Sequence, residues 1–110
     1  MKRGEVMETL KEKIDYAAER FGEEAISNQL IEEMAELTKA LCKMNRFKGV
    51  GMPPAKEHTA ATLIDDIIEE LADVTVTLEQ MIHLMGAEPY IADIIEFKVK
   101  RTYNRMGWDE

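Results

Sequence analysis

Two stretches of the chain share nearly the same local frame, Glu32-Glu33-Met34-Ala35-Glu36-Leu37 and Glu69-Glu70-Leu71-Ala72-Asp73-Val74. Each lies inside a run of apolar residues spaced three and four apart. Leu30, Met34, Leu37, Leu41 and Met44 form the first run, and Ile64, Ile67, Leu71, Val74, Leu78 and Ile82 the second. That spacing is the seam of a bundle helix, so the fold must bring two long amphipathic helices together. A polar stripe accompanies each seam: Gln29, Glu33, Glu36, Ala40 and Lys43 beside the first, Asp66, Glu70, Asp73 and Thr77 beside the second. Residues three apart are neighbours on a helix face. If the seams pack, Glu33, Glu36, Glu70 and Asp73 meet at the edge of the apolar contact.

The rest of the chain reads as helix too. Gly and Pro are sparse, while Ala, Leu, Glu, Lys and Met are plentiful, a composition that favours helices. Four segments are predicted. The first runs from about Glu5 to Phe21 and stops at Gly22; the second spans about Glu24 to Phe47 and stops at Gly49-Val50-Gly51-Met52-Pro53-Pro54. The third starts near Thr62, where Thr62-Leu63-Ile64-Asp65 resembles a capping box, and runs to Met85 before Gly86. The fourth opens at Pro89, a favoured first-turn residue, and runs to about Met106. The expectation is an all-α, four-helix bundle-like subunit with two long central helices, a single domain over 1–110. Beyond Glu70 the third segment is apolar on more than one face, from Leu71 and Val74 to Val76, Leu78, Met81, Ile82 and Leu84. Three other helices could scarcely cover it, so part of that surface is expected to be buried in a homo-oligomer.

Charge is unevenly placed. The net charge is −8, which argues against general nucleic-acid binding. Between Glu57 and Phe97 there is no Lys or Arg; positive charge gathers at Lys39, Lys43, Arg46 and Lys48, then at Lys98, Lys100, Arg101 and Arg105. An acidic middle flanked by basic clusters suits a metal-bound polyanion, although cations near helix C-termini also favour the helix dipole. No apolar run is long enough to span a bilayer. Met1-Lys2-Arg3 is not followed by an apolar stretch, so no signal peptide is read, and the single Cys42 forms no internal disulfide. A cytoplasmic location is expected, with no membrane partner.

Crowded carboxylates repel unless a cation neutralises them, and an acidic face that merely meets solvent is usually laced with Lys. The third segment has none. Oxygen-only ligands point to Mg²⁺, Mn²⁺ or Ca²⁺ rather than to zinc; Mg²⁺ is the cofactor expected, with Mn²⁺ as a possible substitute. A di-iron centre needs Glu-x-x-His motifs, and neither His58 nor His83 follows a Glu at that spacing. His83 is read as a packed or partly exposed helix residue, His58 as a loop residue, and Cys42 as a buried thiol. Gly49-Val50-Gly51 follows a helix rather than a strand, so it is no phosphate loop. It is a helix stop or a mobile flap that brings Arg46 or Lys48 over a ligand.

With these residues assembled, the chain resembles the MazG-like, all-α nucleoside triphosphate pyrophosphohydrolases. The likeness rests on Glu32-Glu33-x-x-Glu36 followed on the next long helix by Glu70-x-x-Asp73, and it spans Gln29 to about Arg105. It implies hydrolysis between the α and β phosphates of a nucleoside triphosphate, giving a monophosphate and pyrophosphate, with Mg²⁺ and a homodimer or homotetramer. Carried over by position, it implies Glu33, Glu36, Glu70 and Asp73 as Mg²⁺ ligands, and Glu32 as a further ligand or an orienter of water. Lys98, Arg101, Asn104 and Arg105, then Lys43, Arg46 and Gln29, become the candidates for phosphate or substrate contacts. Tyr16, Tyr90, Tyr103 and Trp108 are open to stacking on a base or to packing. Two other functions compete: phosphoribosyl-ATP pyrophosphohydrolase, and a non-catalytic acidic helical interaction module. The connection from Glu36 to Glu70 is longer than in compact members of the family, and no motif identifies a base pocket.

Overall fold

The computed structural model describes residues 9–52 and 58–108. Among them the regular structure is all helical: α1 (Leu10–Phe21), α2 (Glu23–Phe47), α3 (Ala60–Leu84) and α4 (Glu88–Arg105). Glu5 and Pro53-Pro54 lie outside the described residues, but the expected continuous helix from Glu5 to Phe21 does not form: Thr9 has extended backbone angles and α1 starts at Leu10. Thr9 caps α1, its hydroxyl accepting from the Glu12 N–H. Helix α3 begins earlier than predicted, because Thr59 rather than Thr62 is the cap. Thr59 has extended backbone angles, and its Oγ1 accepts from the Thr62 N–H at 3.2 Å, so Thr62 is the donor of the motif. Gly22 alone links α1 to α2, at φ 90 and ψ 165, a conformation essentially reserved for glycine. At the end of α3, Gly86 (φ 63) donates to His83 O while Ala87 N–H reaches Ile82 O. This bonding pattern satisfies the last carbonyls of the helix.

The principal packing is α2 against α3, with α1 laid against α3 and, to a lesser extent, α2. The two long helices are antiparallel, since Gln29 lies by Gln80 while Ala40 lies by Asp66 and Glu70. Their contact runs between the predicted seams and the polar stripes: Met44 of the seams is buried and Leu30, Leu37, Ile67, Val74 and Ile82 are half-buried. Ile26, Ala40 and Met44 of α2 are buried with Leu63, Thr77 and Gln80 of α3, and Glu33 and Glu70 are half-buried between them. Met34, Leu41, Ile64, Leu71 and Leu78, all expected in the seam, are 45–48% exposed. Ala40 and Thr77, both in the predicted polar stripes, are buried at this contact. A one-residue step turns a helix by about 100°. In an antiparallel pair that step carries both apolar rows to the same side, where Ile31 and Ile68 join them.

Helix α4 buries none of its residues. The radius of gyration is 18.3 Å, against about 13 Å for a compact chain of this length. Accessible surface is 8601 Å², where a globular monomer of this mass exposes about 6,200 Å². The described helices of one chain therefore do not close the expected four-helix bundle; α1, α2 and α3 pack and α4 stands off. It is tethered near its start, where Lys11 of α1 pairs with Glu88 at 2.6 Å. Cys42, expected to be buried, is exposed, because it follows Leu41 on the uncovered side of α2. No helix among the described residues is long and apolar enough to cross a membrane.

Candidate metal centre

Glu33 from α2 and Glu70 and Asp73 from α3 each place a carboxylate oxygen within 4.8 Å of the other two. The i, i+3 spacing puts Glu70 and Asp73 on one side of α3, and the antiparallel contact brings Glu33 opposite them. Gln29, one turn before Glu33, donates from Nε2 to Glu33 Oε1 at 2.6 Å and fixes that carboxylate. Glu70 Oε2 has no access to solvent and no hydrogen-bond partner. An unpaired buried oxygen of this kind is costly. Burial holds the Glu70 carboxyl above its ordinary range, and the charges of Asp73, Glu33, Glu36 and Glu69 push it the same way.

Beside this trio lies a cleft of about 230 Å³ lined by Glu36, Lys39, Ala40, Lys43, Asp66 and Glu70. Glu36 thus adjoins the centre without joining the closest three. Lys39 and Asp66 are the cleft residues absent from the predicted set. Their signal lay in the sequence as four-residue steps, Lys39 to Lys43 and Asp66 to Glu70. A second cavity of about 250 Å³ is lined by Phe21, Ala25, Ile26, Gln29 and Gln80. Gln29 belongs to this cavity and also holds Glu33, so the cavity opens next to the carboxylates.

The remaining predicted residues are not gathered at the trio. Glu32 is exposed on α2 and Arg46 is exposed in its last turn. Lys98, Arg101, Asn104 and Arg105 are exposed on α4, and none of them lines the cleft. Arg101 instead lies 5.9 Å from the centroid of the Phe97 ring. Tyr103 packs edge-on against Trp108 at 5.5 Å, while Tyr90 is exposed.

The donor set suits a hard divalent ion: oxygen only, anionic, drawn from two rigid helices, with one oxygen left unpaired. Comparison with known proteins gives no match to a family model, to a curated protein or to a solved structure.

Proposed function

We propose that the chain is a Mg²⁺-dependent nucleoside triphosphate pyrophosphohydrolase, cleaving between the α and β phosphates to release a monophosphate and pyrophosphate. The observation that supports this reading above others is the convergence of Glu33, Glu70 and Asp73 around the unpaired Glu70 Oε2. What distinguishes this group from an ordinary acidic face is the buried Glu70 oxygen left without a partner. Glu33, Glu70 and Asp73 would hold the ion, with Glu36 at the edge of the cleft. The ion would supply charge neutralisation for the phosphates and a lowered pKa for a bound water. Phosphoryl transfer asks the protein for positioning and electrostatics rather than covalent chemistry. Gln29 orients Glu33, and Lys39 and Lys43 offer cationic contacts to the phosphates from the cleft wall. The neighbouring cavity offers the base the Phe21 ring and the Gln29 and Gln80 amides. Glu32 stands one residue before Glu33, where a water-orienting role is the carry-over from the resemblance.

The working unit in this reading is a homodimer or homotetramer. Ile31, Met34, Leu41, Ile64, Ile68, Leu71 and Leu78 form one apolar side of the α2–α3 pair, and fully burying such a side chain is worth about 1.5–3 kcal/mol. A second copy would cover that side, and the unburied α4 would then bring Lys98, Arg101, Asn104 and Arg105 to a site built with its partner. Light scattering should give a multiple of the 12.6 kDa chain mass; a monomer at micromolar concentration would remove the shared site.

The decisive test is a screen of ribo- and deoxyribonucleoside triphosphates and phosphoribosyl-ATP for Mg²⁺-dependent pyrophosphate release. Release from a nucleoside triphosphate is expected. Release from phosphoribosyl-ATP alone would move the enzyme to that substrate, and no release from any of them would overturn the reading.

A further inference from the structure

A second group of potential ligands lies where three helices meet, apart from the acidic cleft. His83, in the last turn of α3, faces Asp15 of α1 and Glu88 of α4. Its Nδ1 stands 3.5 Å from Asp15 Oδ2 and 3.5 Å from Glu88 Oε1, while its Nε2 lies 2.7 Å from Glu19 Oε2. Lys11 Nζ bridges the same carboxylates, 2.6 Å from Asp15 Oδ2 and 2.6 Å from Glu88 Oε2.

Two observations separate this group from an ordinary surface ion-pair network. First, the contact to Glu19 is short, so with its proton on Nε2 the ring donates there and its Nδ1 lone pair points at the other two carboxylates. That nitrogen is out of reach of solvent and has no hydrogen-bond partner. Second, the separations from Nδ1 are too long for hydrogen bonds yet right for ligands of a common ion. With metal–ligand bonds of roughly 2.0–2.1 Å, the edge of a tetrahedron is about 3.4 Å. An imidazole backed by a carboxylate on its far nitrogen is also the usual outer support of a metal-bound histidine.

We propose that His83 Nδ1, Asp15 and Glu88 form a second metal site, selective for a borderline divalent ion such as Zn²⁺, with Glu19 as the residue that orients His83. The mixed nitrogen and oxygen donors distinguish it from the all-oxygen centre. Three protein ligands leave a fourth position for water, the pattern of an open zinc site. A groove of about 390 Å³, lined by Leu10, Lys11, Ile14, Glu79, Ile82 and Glu88, runs beside the Glu88 ligand. Lys11 holds the cation's place: it pairs with two of the ligands, and its side chain is 64% exposed, free to swing out when a divalent ion enters. Since the ligands come from α1, α3 and α4, the ion would fasten α4 to the other helices. The site is independent of the pyrophosphohydrolase reading.

Equilibrium dialysis of the untagged full chain against Zn²⁺, with millimolar Mg²⁺ present to occupy the acidic centre, tests it. One Zn²⁺ per chain is expected, and Co²⁺ in its place should give the visible absorption of a tetrahedral site. His83→Ala should abolish this binding, and Glu19→Ala should weaken it about 10–100-fold. Lys11→Met should tighten it, a gain that misfolding cannot imitate, while Asp73→Asn should leave it unchanged. No Zn²⁺ bound by the wild type, undiminished binding by His83→Ala, or weaker binding by Lys11→Met would each overturn the proposal.

Discussion

The molecule contains two gatherings of carboxylates, and they are solved in opposite ways. At the α2–α3 cleft, Glu33, Glu70 and Asp73 converge without a cation among them, and Glu70 is pushed up by burial and by its acidic neighbours. At the α1–α3–α4 junction, Asp15, Glu19 and Glu88 surround His83 and Lys11. There the Lys11 ammonium, ahead of His83, holds Glu88 below its ordinary range, and Asp15 and Glu88 hold Lys11 above its own. The same functional group is destabilised in one place and stabilised in the other. What differs is whether the chain supplies the counter-charge itself. Among the described residues no cation pairs with the first group, whereas in the second Lys11 already stands beside Asp15 and Glu88.

The largest effect should come from removing one carboxylate at each place. Asp73→Asn or Glu70→Gln should lower kcat/KM by about 100-fold or more yet raise the melting temperature of the metal-free protein, because crowding is relieved. Glu88→Gln should do the reverse, lowering the melting temperature because Lys11 loses an ion-pair partner. Thermal melts with and without Mg²⁺, alongside turnover, separate the two. If Asp73→Asn melts lower than wild type without metal, the cleft is not under repulsion and the contrast fails.

Next in size are the cations proposed to meet the phosphates. A charge-assisted contact is worth about 1.5–3 kcal/mol, so Lys43→Ala should cost roughly tenfold or more in kcat/KM. Arg101→Ala and Arg105→Ala should cost as much only if α4 reaches a site shared between copies. If they merely favour the end of α4, the loss is about 0.3–1 kcal/mol of stability with unchanged kinetics. Kinetics and melts on the same three variants decide which cations serve the cleft.

Much of the fold was legible because helix boundaries are local. Phe21, Phe47 and the glycines after each helix mark their ends, while two caps were missed: Thr59, displaced by a threonine three residues later, and Thr9, which starts α1 at Leu10. Glu33, Glu70 and Asp73 were legible because an i, i+3 pair is fixed by helix geometry alone. The packed face was legible only in part: Met44 is buried and Leu30, Leu37, Ile67, Val74 and Ile82 are half-buried as the seams predicted, but Ala40 and Thr77 of the polar stripes are buried too. Periodicity separates an apolar row from its polar neighbour, but the contact falls between the two. The surroundings of His83 were hidden: Glu19 is 64 positions away, and no local motif announces a site assembled from three helices. Lys39 and Asp66 were overlooked although their spacing was visible.

The smallest effect is a pH dependence in which the two regions contribute at different places. Glu70 has its folded pKa raised above 4.5, so the folded state holds the proton more tightly. Its contribution is fully present below that ordinary value and is lost as pH rises through the folded pKa. His83 is likewise raised above 6.5, first by its bond to Glu19, so its contribution is present below 6.5 and lost as pH rises beyond it. Glu88 is lowered from 4.5, chiefly by Lys11; its contribution is present above that value and lost in stronger acid. The melting temperature of the metal-free protein should therefore decline in two components as pH rises, one above 4.5 and one above 6.5. Glu70→Gln should remove the more acidic component and His83→Asn the other, while saturating Mg²⁺ should suppress only the first. A profile that His83→Asn leaves unaltered would show that the junction does not bind its proton on folding. An acidic component that persists in Glu70→Gln would show that Glu70 is not its source.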